Sequence, residues 1–145
     1  TGSYNGIFAP SELPMGPRLY VIEGATDAAA AIDLEALPVV GRPNSNSCVE
    51  ETVTLVTKRH YREVVILANY DVAKKQPNGK VFFPGQDGAE KLARAMVLAG
   101  VNVKIVYPLK GSKDFREWKS KGATAEVLER VVNNAAWWTP KENAA

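Results

Sequence analysis

The stretch Glu63-Val-Val-Ile-Leu-Ala68 decides the fold class of this chain. Its apolar residues follow one another without the polar alternation of a half-exposed strand. That pattern is typical of a parallel strand whose two faces are both covered. Because parallel strands are joined by crossovers that usually contain a helix, we expect strands and helices to alternate on either side of this stretch.

The flanking sequence has this alternation. Further strands are predicted at 18–23, 38–40 and 101–106. Helices are predicted at 27–34, 48–59, 86–99, 115–120 and 124–134. Thr26 is the predicted cap of the first helix, and Ser47 with Glu50 has the capping-box spacing before the second. The order predicts an α/β fold, a Rossmann-like arrangement with a four-stranded parallel sheet flanked by helices on both faces.

The 145 residues suit a single domain with tails. Residues 1–17 are rich in Gly, Pro and Ser, which predicts an irregular N-terminal lead-in or linker. The predicted domain covers residues 18–134, and residues 135–145 form a predicted C-terminal tail. The polar stretch 69–84 is long for a connection inside such a domain, and long loops are often functional.

The composition limits the classes of protein and of metal site that this chain can form. Apolar residues make up 46% of the chain and charged residues 23%, as in a globular protein, and no apolar run approaches the ~20 residues of a membrane span. We therefore expect a cytoplasmic protein with no membrane partner. Because Cys48 and His60 are the only residues of their types, a Cys/His zinc site and an internal disulfide are excluded. A bound metal would need oxygen ligands, which favours magnesium, manganese or calcium. The net charge of +2 is too even to indicate a partner.

Polar side chains follow all four predicted strands. These residues are Glu23, Arg42, Asn69, Asp71, Lys110, Lys113 and Asp114. Ligands of parallel sheets bind beyond the carboxyl ends of the strands, where these residues should meet.

Each acidic position has two interpretations that the residues alone leave open. Glu23 is either a partly dehydrated general acid or base, joined near a metal by Asp27, or an acceptor of backbone N–H bonds in a turn. Asn69 and Asp71 either share a hard cation or close the strand as an Asx turn. Asp114 is either an outer metal ligand or the N-cap of the helix that follows.

The basic and glycine-rich positions are equally open. Lys110, Lys113 and Arg116 either receive phosphates or form a solvated basic face. The run Pro84-Gly-Gln-Asp-Gly-Ala89 either binds an anion through free N–H groups or only begins a helix.

Five ordered stretches together resemble one family, the Toprim domain of primases, topoisomerases and related nucleases, and in particular its primase-like members. They are Val21-Ile-Glu-Gly-Ala-Thr-Asp27, Val39-Val-Gly-Arg-Pro43, Val64-Val-Ile-Leu-Ala-Asn-Tyr-Asp71, Pro84-Gly-Gln-Asp-Gly-Ala89 and Lys113-Asp-Phe-Arg-Glu-Trp118. The likeness spans roughly residues 19–132. It implies that Glu23, followed by Gly24, is the catalytic acid or base of a magnesium or manganese site.

The resemblance also implies that Asn69 and Asp71 occupy the positions of a metal-binding DxD motif. Here Asn69 replaces the first aspartate, which removes one negative charge and should lower metal affinity. Glu23 and Asp114 are expected to join them as metal ligands, and Gly24 and Asp27 are expected to support the site. From their placement at the strand ends, and not from the resemblance, Arg42, Lys110 and Lys113 are expected to bind phosphates of nucleotide or template.

The function that the resemblance implies is magnesium-dependent nucleotidyl transfer, the synthesis of an RNA primer on a DNA template in DNA replication. The expected partners are DNA, nucleotides and other domains of a larger primase or primase-helicase, with the oligomeric state left open. A Toprim nuclease that cleaves phosphodiesters is one alternative. A non-catalytic module that binds nucleic acid or nucleotides is the other, because Asn69 weakens the motif.

Overall fold

Strands and helices alternate as the sequence predicts in a computed structural model, which describes residues 3–4, 6–109 and 111–141. The strands are β1 (Ser3–Tyr4), β2 (Ile7–Phe8), β3 (Arg18–Glu23), β4 (Val39–Arg42), β5 (Glu63–Leu67), β6 (Lys74–Lys75), β7 (Val81–Phe82) and β8 (Asn102–Val106). The helices are α1 (Ala25–Asp33), α2 (Val49–Lys58), α3 (Pro84–Leu98), α4 (Phe115–Ser120) and α5 (Ala125–Asn134).

The central sheet has the strand order β1-β2-β4-β3-β5-β8. Strands β4, β3, β5 and β8 are parallel, so the predicted four-stranded parallel sheet is confirmed. Glu23 lies opposite Arg42 in the register of β3 and β4, and Ile22 lies opposite Leu67 in that of β3 and β5. The carboxyl ends of these three strands therefore meet at one edge of the sheet.

Helices cover both faces of the sheet, and β5 shows why its sequence is continuously apolar. Val64 and Ile66 pack into the core beneath α2 and α3, whereas Val65 and Leu67 pack into the core beneath α1, α4 and α5. Alternate side chains of one strand thus fill two different cores, and neither face tolerates a polar residue. No helix of the described ranges is long and apolar enough to cross a membrane.

The N-terminal segment differs from the irregular lead-in that its Gly, Pro and Ser content predicts. Strand β2 pairs antiparallel with β4, with Phe8 opposite Gly41, and extends the sheet. Ile7 and Leu13 are buried in the core beneath α2 and α3. A strand of two residues is too short to show a hydrophobic pattern in the sequence. Its stability comes from pairing with the neighbouring strand.

The C-terminal segment also packs against the domain rather than leaving it as a tail. The backbone N–H of Trp138 donates to the carbonyl oxygen of Val103 in β8, at 2.7 Å. The Lys104 ammonium lies 4.8 Å from the Trp137 ring centroid, and the Arg94 guanidinium lies 6.0 Å from that of Trp138. Cation–π contacts and one edge hydrogen bond therefore attach these residues to the sheet.

The predicted caps of the first two helices are wrong. Gly24 is the N-cap of α1, one residue after β3 ends, which leaves Thr26 inside the helix. Cys48 is the N-cap of α2 with a left-handed φ of 58°, so Ser47 lies outside the capping position. The long connection 69–84, predicted as a loop, contains the hairpin of β6 and β7.

The buried N-terminal segment makes a stability prediction. Ile7→Ala should lower the free energy of unfolding by about 2–5 kcal/mol, because it leaves a cavity under the sheet. Met15→Ala is the control, since Met15 is 85% exposed in the same segment. Urea unfolding followed by circular dichroism measures both variants. Equal, small effects would show that the segment is not part of the folded domain.

Candidate active site

Glu23 lies at the carboxyl end of β3, where the chain turns sharply into α1. The turn uses Gly24, whose φ of 82° suits glycine, and whose N–H donates to the Arg42 carbonyl oxygen at 2.7 Å. Burial raises the pKa of Glu23, and the nearby negative charge of Asp71 raises it further. The Arg42 guanidinium and a backbone hydrogen bond from Ser45 oppose that rise in pKa. Glu23 is thus a half-buried carboxyl group whose proton affinity is increased.

Asn69 connects Glu23 to the end of β5. Its Nδ2 donates to Glu23 Oε2 at 3.1 Å, which orients the Glu23 carboxylate. Its Oδ1 is buried and has no hydrogen-bond partner in the part of the chain that the structure describes. An aspartate at this position would face Glu23 with a like charge, so the asparagine converts repulsion into a hydrogen bond.

Asp71 is held from two sides by the start of α3. Its Oδ2 accepts from the Gly85 N–H at 2.8 Å, and Gln86 bonds both backbone groups of Asp71, at 3.2 Å and 3.0 Å. The other carboxylate oxygen, Oδ1, lies 3.9 Å from Lys113 Nζ. Of the two interpretations of the run 84–89, the structure shows the start of a helix, and the N–H of Gly85 in its first turn is used by the protein's own carboxylate, Asp71.

Two glycines allow α3 to approach this closely. A Cβ at Gly85 would lie 2.4 Å from the Asn69 carbonyl oxygen, and one at Gly88 would lie 2.2 Å from the Ser45 carbonyl oxygen. Both distances are far below van der Waals contact, so larger residues would push the helix away from the loops. The glycines thus keep Asn69 and Ser45 next to Glu23.

Asp27 and Asp114 form a second acidic pair beside the first. Burial raises the pKa of Asp27 to about 6, and the charges of Asp114 and Glu23 add to the increase. Arg116 opposes it, through its charge and through a backbone hydrogen bond. Asp114 Oδ1 accepts from the Glu117 N–H at 2.7 Å, so Asp114 is the N-cap of α4. Its second oxygen is 3.9 Å from Arg116 Nη2.

The predicted phosphate-binding residues lie in different surroundings. Arg42 is only 3% exposed, and its Nη1 donates to the Ser47 carbonyl oxygen at 3.3 Å. This burial does not favour contact with an external phosphate, and its charge acts on Glu23 instead. The Lys113 side chain is exposed beside Asp71. Lys110 lies outside the described residues.

Sequence reasoning missed the supporting roles of Gln86 and Ser45. Gln86 clamps the backbone of Asp71, and Ser45 contributes a backbone hydrogen bond to Glu23. The glycines of the run 84–89 indicate that another part of the backbone approaches closely. The sequence does not show that this part is the backbone of Asn69 and Ser45. The contact between Gln86 and Asp71 can be recognised only when the relative position of β5 and α3 in the fold is known.

The oxygen groups at the sheet edge fit a weakly held magnesium or manganese ion. Glu23 and Asp71 supply carboxylates, and Asn69 supplies an orphaned amide oxygen. Across residues 6–109 and 111–141, no cluster of three or more His, Cys, Asp and Glu side chains is placed to hold a metal. Magnesium is commonly bound through one or two carboxylates, several waters and substrate phosphates. These residues could therefore supply only part of the coordination shell of such an ion.

The fold matches solved primase structures. The chain superposes with a TM-score of 0.65 and 20% identity on the Aquifex aeolicus primase containing zinc-binding and RNA polymerase domains, covering 84% of this chain and 27% of that one. For the E. coli primase catalytic core, the TM-score is 0.59 and the identity 18%, over 84% and 35% of the two chains. For a Pseudomonas aeruginosa DNA primase domain, they are 0.62 and 13%, over 85% and 35%.

These likenesses show the fold, and this chain spans about a third or less of each primase structure. No family model and no curated protein sequence matches the chain. What the domain shares with the primase structures is thus a primase-like α/β fold.

The raised pKa of Asp27 makes a pH prediction. Since its pKa is about 6 in the folded state and about 3.8 in the unfolded state, the folded state binds the proton more tightly. The stability from this group is complete below pH 3.8 and is lost as the pH rises through about 6, by at most about 3 kcal/mol.

Asp27→Asn should remove that loss. Urea unfolding between pH 4 and pH 7 in a metal-free buffer measures it, and the variant should lose less stability over that range than the wild type. Asp33→Asn, on the exposed end of the same helix, is the control. Parallel curves for Asp27→Asn and the wild type would contradict the raised pKa.

Proposed function

We propose that this domain carries out magnesium-dependent nucleotidyl transfer in a primase-like DNA replication protein, joining ribonucleotides on a DNA template. The observation that carries the proposal is the convergence of Glu23, Asn69 and Asp71 at the carboxyl edge of the sheet. The likeness to primase folds supports the same function. DNA and nucleoside triphosphates are the proposed substrates.

Glu23 is the proposed general base. Burial and the Asp71 charge raise its pKa, which strengthens the carboxylate as an acceptor for the proton of an attacking 3′-hydroxyl. The Asn69 amide holds Glu23 Oε2 at 3.1 Å, so the acceptor is oriented before the substrate arrives. The backbone hydrogen bond from Ser45 and the charges of Arg42 and Lys113 oppose the rise in the pKa of Glu23.

Asp71, Asn69 and Glu23 are the proposed ligands of a magnesium ion, which when bound would offset the negative charge of triphosphate oxygens. Because Gly85 fixes one oxygen of Asp71, the second is left to face the substrate. Lys113 beside that oxygen adds positive charge for a phosphate. Asp27 and Asp114 are not proposed to contact the ion directly, and their charges add to the negative potential around Glu23.

Primer synthesis tests the proposal. The chain is incubated with magnesium or manganese, a single-stranded template and labelled ribonucleotides, and new oligonucleotides are resolved on a gel. Glu23→Gln should lower the rate about 10²- to 10⁴-fold, because it removes the proton acceptor. Glu126→Gln, on the exposed face of α5, is the matched control.

Three outcomes separate the candidates. Synthesis that depends on Glu23 supports the proposal. If the wild type shortens the template and Glu23→Gln leaves it intact, the domain is a Toprim-type nuclease. Nucleic-acid binding without product in either metal would point to a non-catalytic module, which the Asn69–Glu23 hydrogen bond also favours because it satisfies Glu23 without a cation.

The asparagine at 69 makes a separate prediction about metal affinity. Asn69→Asp adds a carboxylate beside Glu23 and Asp71, so manganese should bind roughly tenfold more tightly by calorimetry. Asn102→Asp makes the same charge change on the exposed start of β8, at the opposite edge of the sheet, and should leave the affinity unchanged. An equal gain in both variants would show a general charge effect, and no gain at 69 would remove that residue from the site.

A further inference from the structure

The hairpin of β6 and β7 stands apart from the central sheet as a two-stranded ribbon of its own. Lys74 pairs with Phe82, and Lys75 pairs with Val81. Its turn is ordered by backbone bonds of 2.9 Å from Gly79 to Gln76 and from Gln76 to Lys80. The hairpin is therefore a defined projection and not an irregular loop.

The hairpin concentrates positive charge. Residues 72–83 contain three lysines, Lys74, Lys75 and Lys80, and no acidic residue. This segment carries +3, whereas the whole chain carries only +2, so the remainder is slightly acidic. All three lysines are exposed, and within the described ranges none forms an ion pair. Their charge is free to act on an external anion.

Exposed aromatic rings flank the base of the hairpin. Tyr70 is 59% exposed and meets Tyr107 edge to face, with ring centroids 5.7 Å apart. Phe83 is 43% exposed at the start of α3. These rings belong to the same chain segments as Asp71 and Gly85, which are hydrogen-bonded to each other. The exposed aromatic rings are therefore adjacent to the carboxylate site.

We infer that the hairpin and its flanking rings form a binding surface for single-stranded nucleic acid. The lysines would contact backbone phosphates, and Tyr70 and Phe83 would stack on unpaired bases. Aromatic rings at the base favour an unpaired strand over a duplex, because paired bases present no open faces to them. The inference rests on the proposed function in taking nucleic acid as the partner and in placing the bound strand beside Glu23.

Fluorescence anisotropy with a short labelled oligothymidylate tests the surface, using the full chain with EDTA so that metal and catalysis play no part. The triple variant Lys74→Ser, Lys75→Ser and Lys80→Ser should bind at least about tenfold more weakly. It should also lower the slope of log affinity against log salt by about 2, for three lost phosphate contacts at about 0.7 each. Tyr70→Leu keeps the charge and should weaken binding about fivefold or more through lost stacking.

The matched control is Lys58→Ser, Arg59→Ser and Arg62→Ser, which removes three exposed positive charges at the amino edge of the sheet. It should change the affinity less than about twofold. Circular dichroism checks that both triple variants keep the fold, since the hairpin lies outside both cores.

Equal losses in the two triple variants would overturn the inference, as would wild-type affinity in the hairpin variant. Tighter binding to a duplex, or hairpin-dependent binding to phosphatidylserine vesicles with none to the oligonucleotide, would also overturn it. Hairpin-dependent binding without primer synthesis would leave the surface in place while the proposed function fails.

Discussion

The close approach of α3 to the sheet edge is the constraint on which the site depends. Gly85 and Gly88 bring the first turn of this helix against Asn69 and Ser45, at distances that no side chain would allow. The approach presents the Gly85 N–H to Asp71 and lets Gln86 hold the Asp71 backbone. If α3 were displaced by the width of one methyl group, all of these hydrogen bonds would be lost together, because they all depend on the same contact between α3 and the sheet edge.

The same constraint links chemistry that is distant in sequence. Once Asp71 is fixed, its charge raises the pKa of Glu23 across the ends of β3 and β5, and Asn69 spans the gap with one hydrogen bond. Arg42 is buried beside this pair, so its charge moderates the acidic edge from within. The result is a preorganised pair of carboxyl groups, on which the proposed ion site is based.

The sequence predicts those elements whose signal is long and local. β5 is recognised because four of its residues fill two cores, and α4 because a residue that can cap a helix, Asp114, precedes it. Ile7 in β2 and the hairpin could not be recognised, since two-residue strands derive their stability from pairing that sequence does not display. The meeting of the strand ends was predictable from topology, whereas the bond between Asn69 and Glu23 required the fold.

Manganese-induced broadening of amide NMR signals tests the central claim most directly, because paramagnetic broadening depends on distance from the bound ion. The account predicts that substoichiometric manganese first broadens the amides of Gly24, Asn69 and Gly85, which surround the carboxylate pair. The amides of Arg62 and Asn102, at the opposite edge of the sheet, should keep their intensity. Broadening that begins at the opposite edge, or spreads evenly over the protein, would contradict a cation site built from Glu23, Asn69 and Asp71.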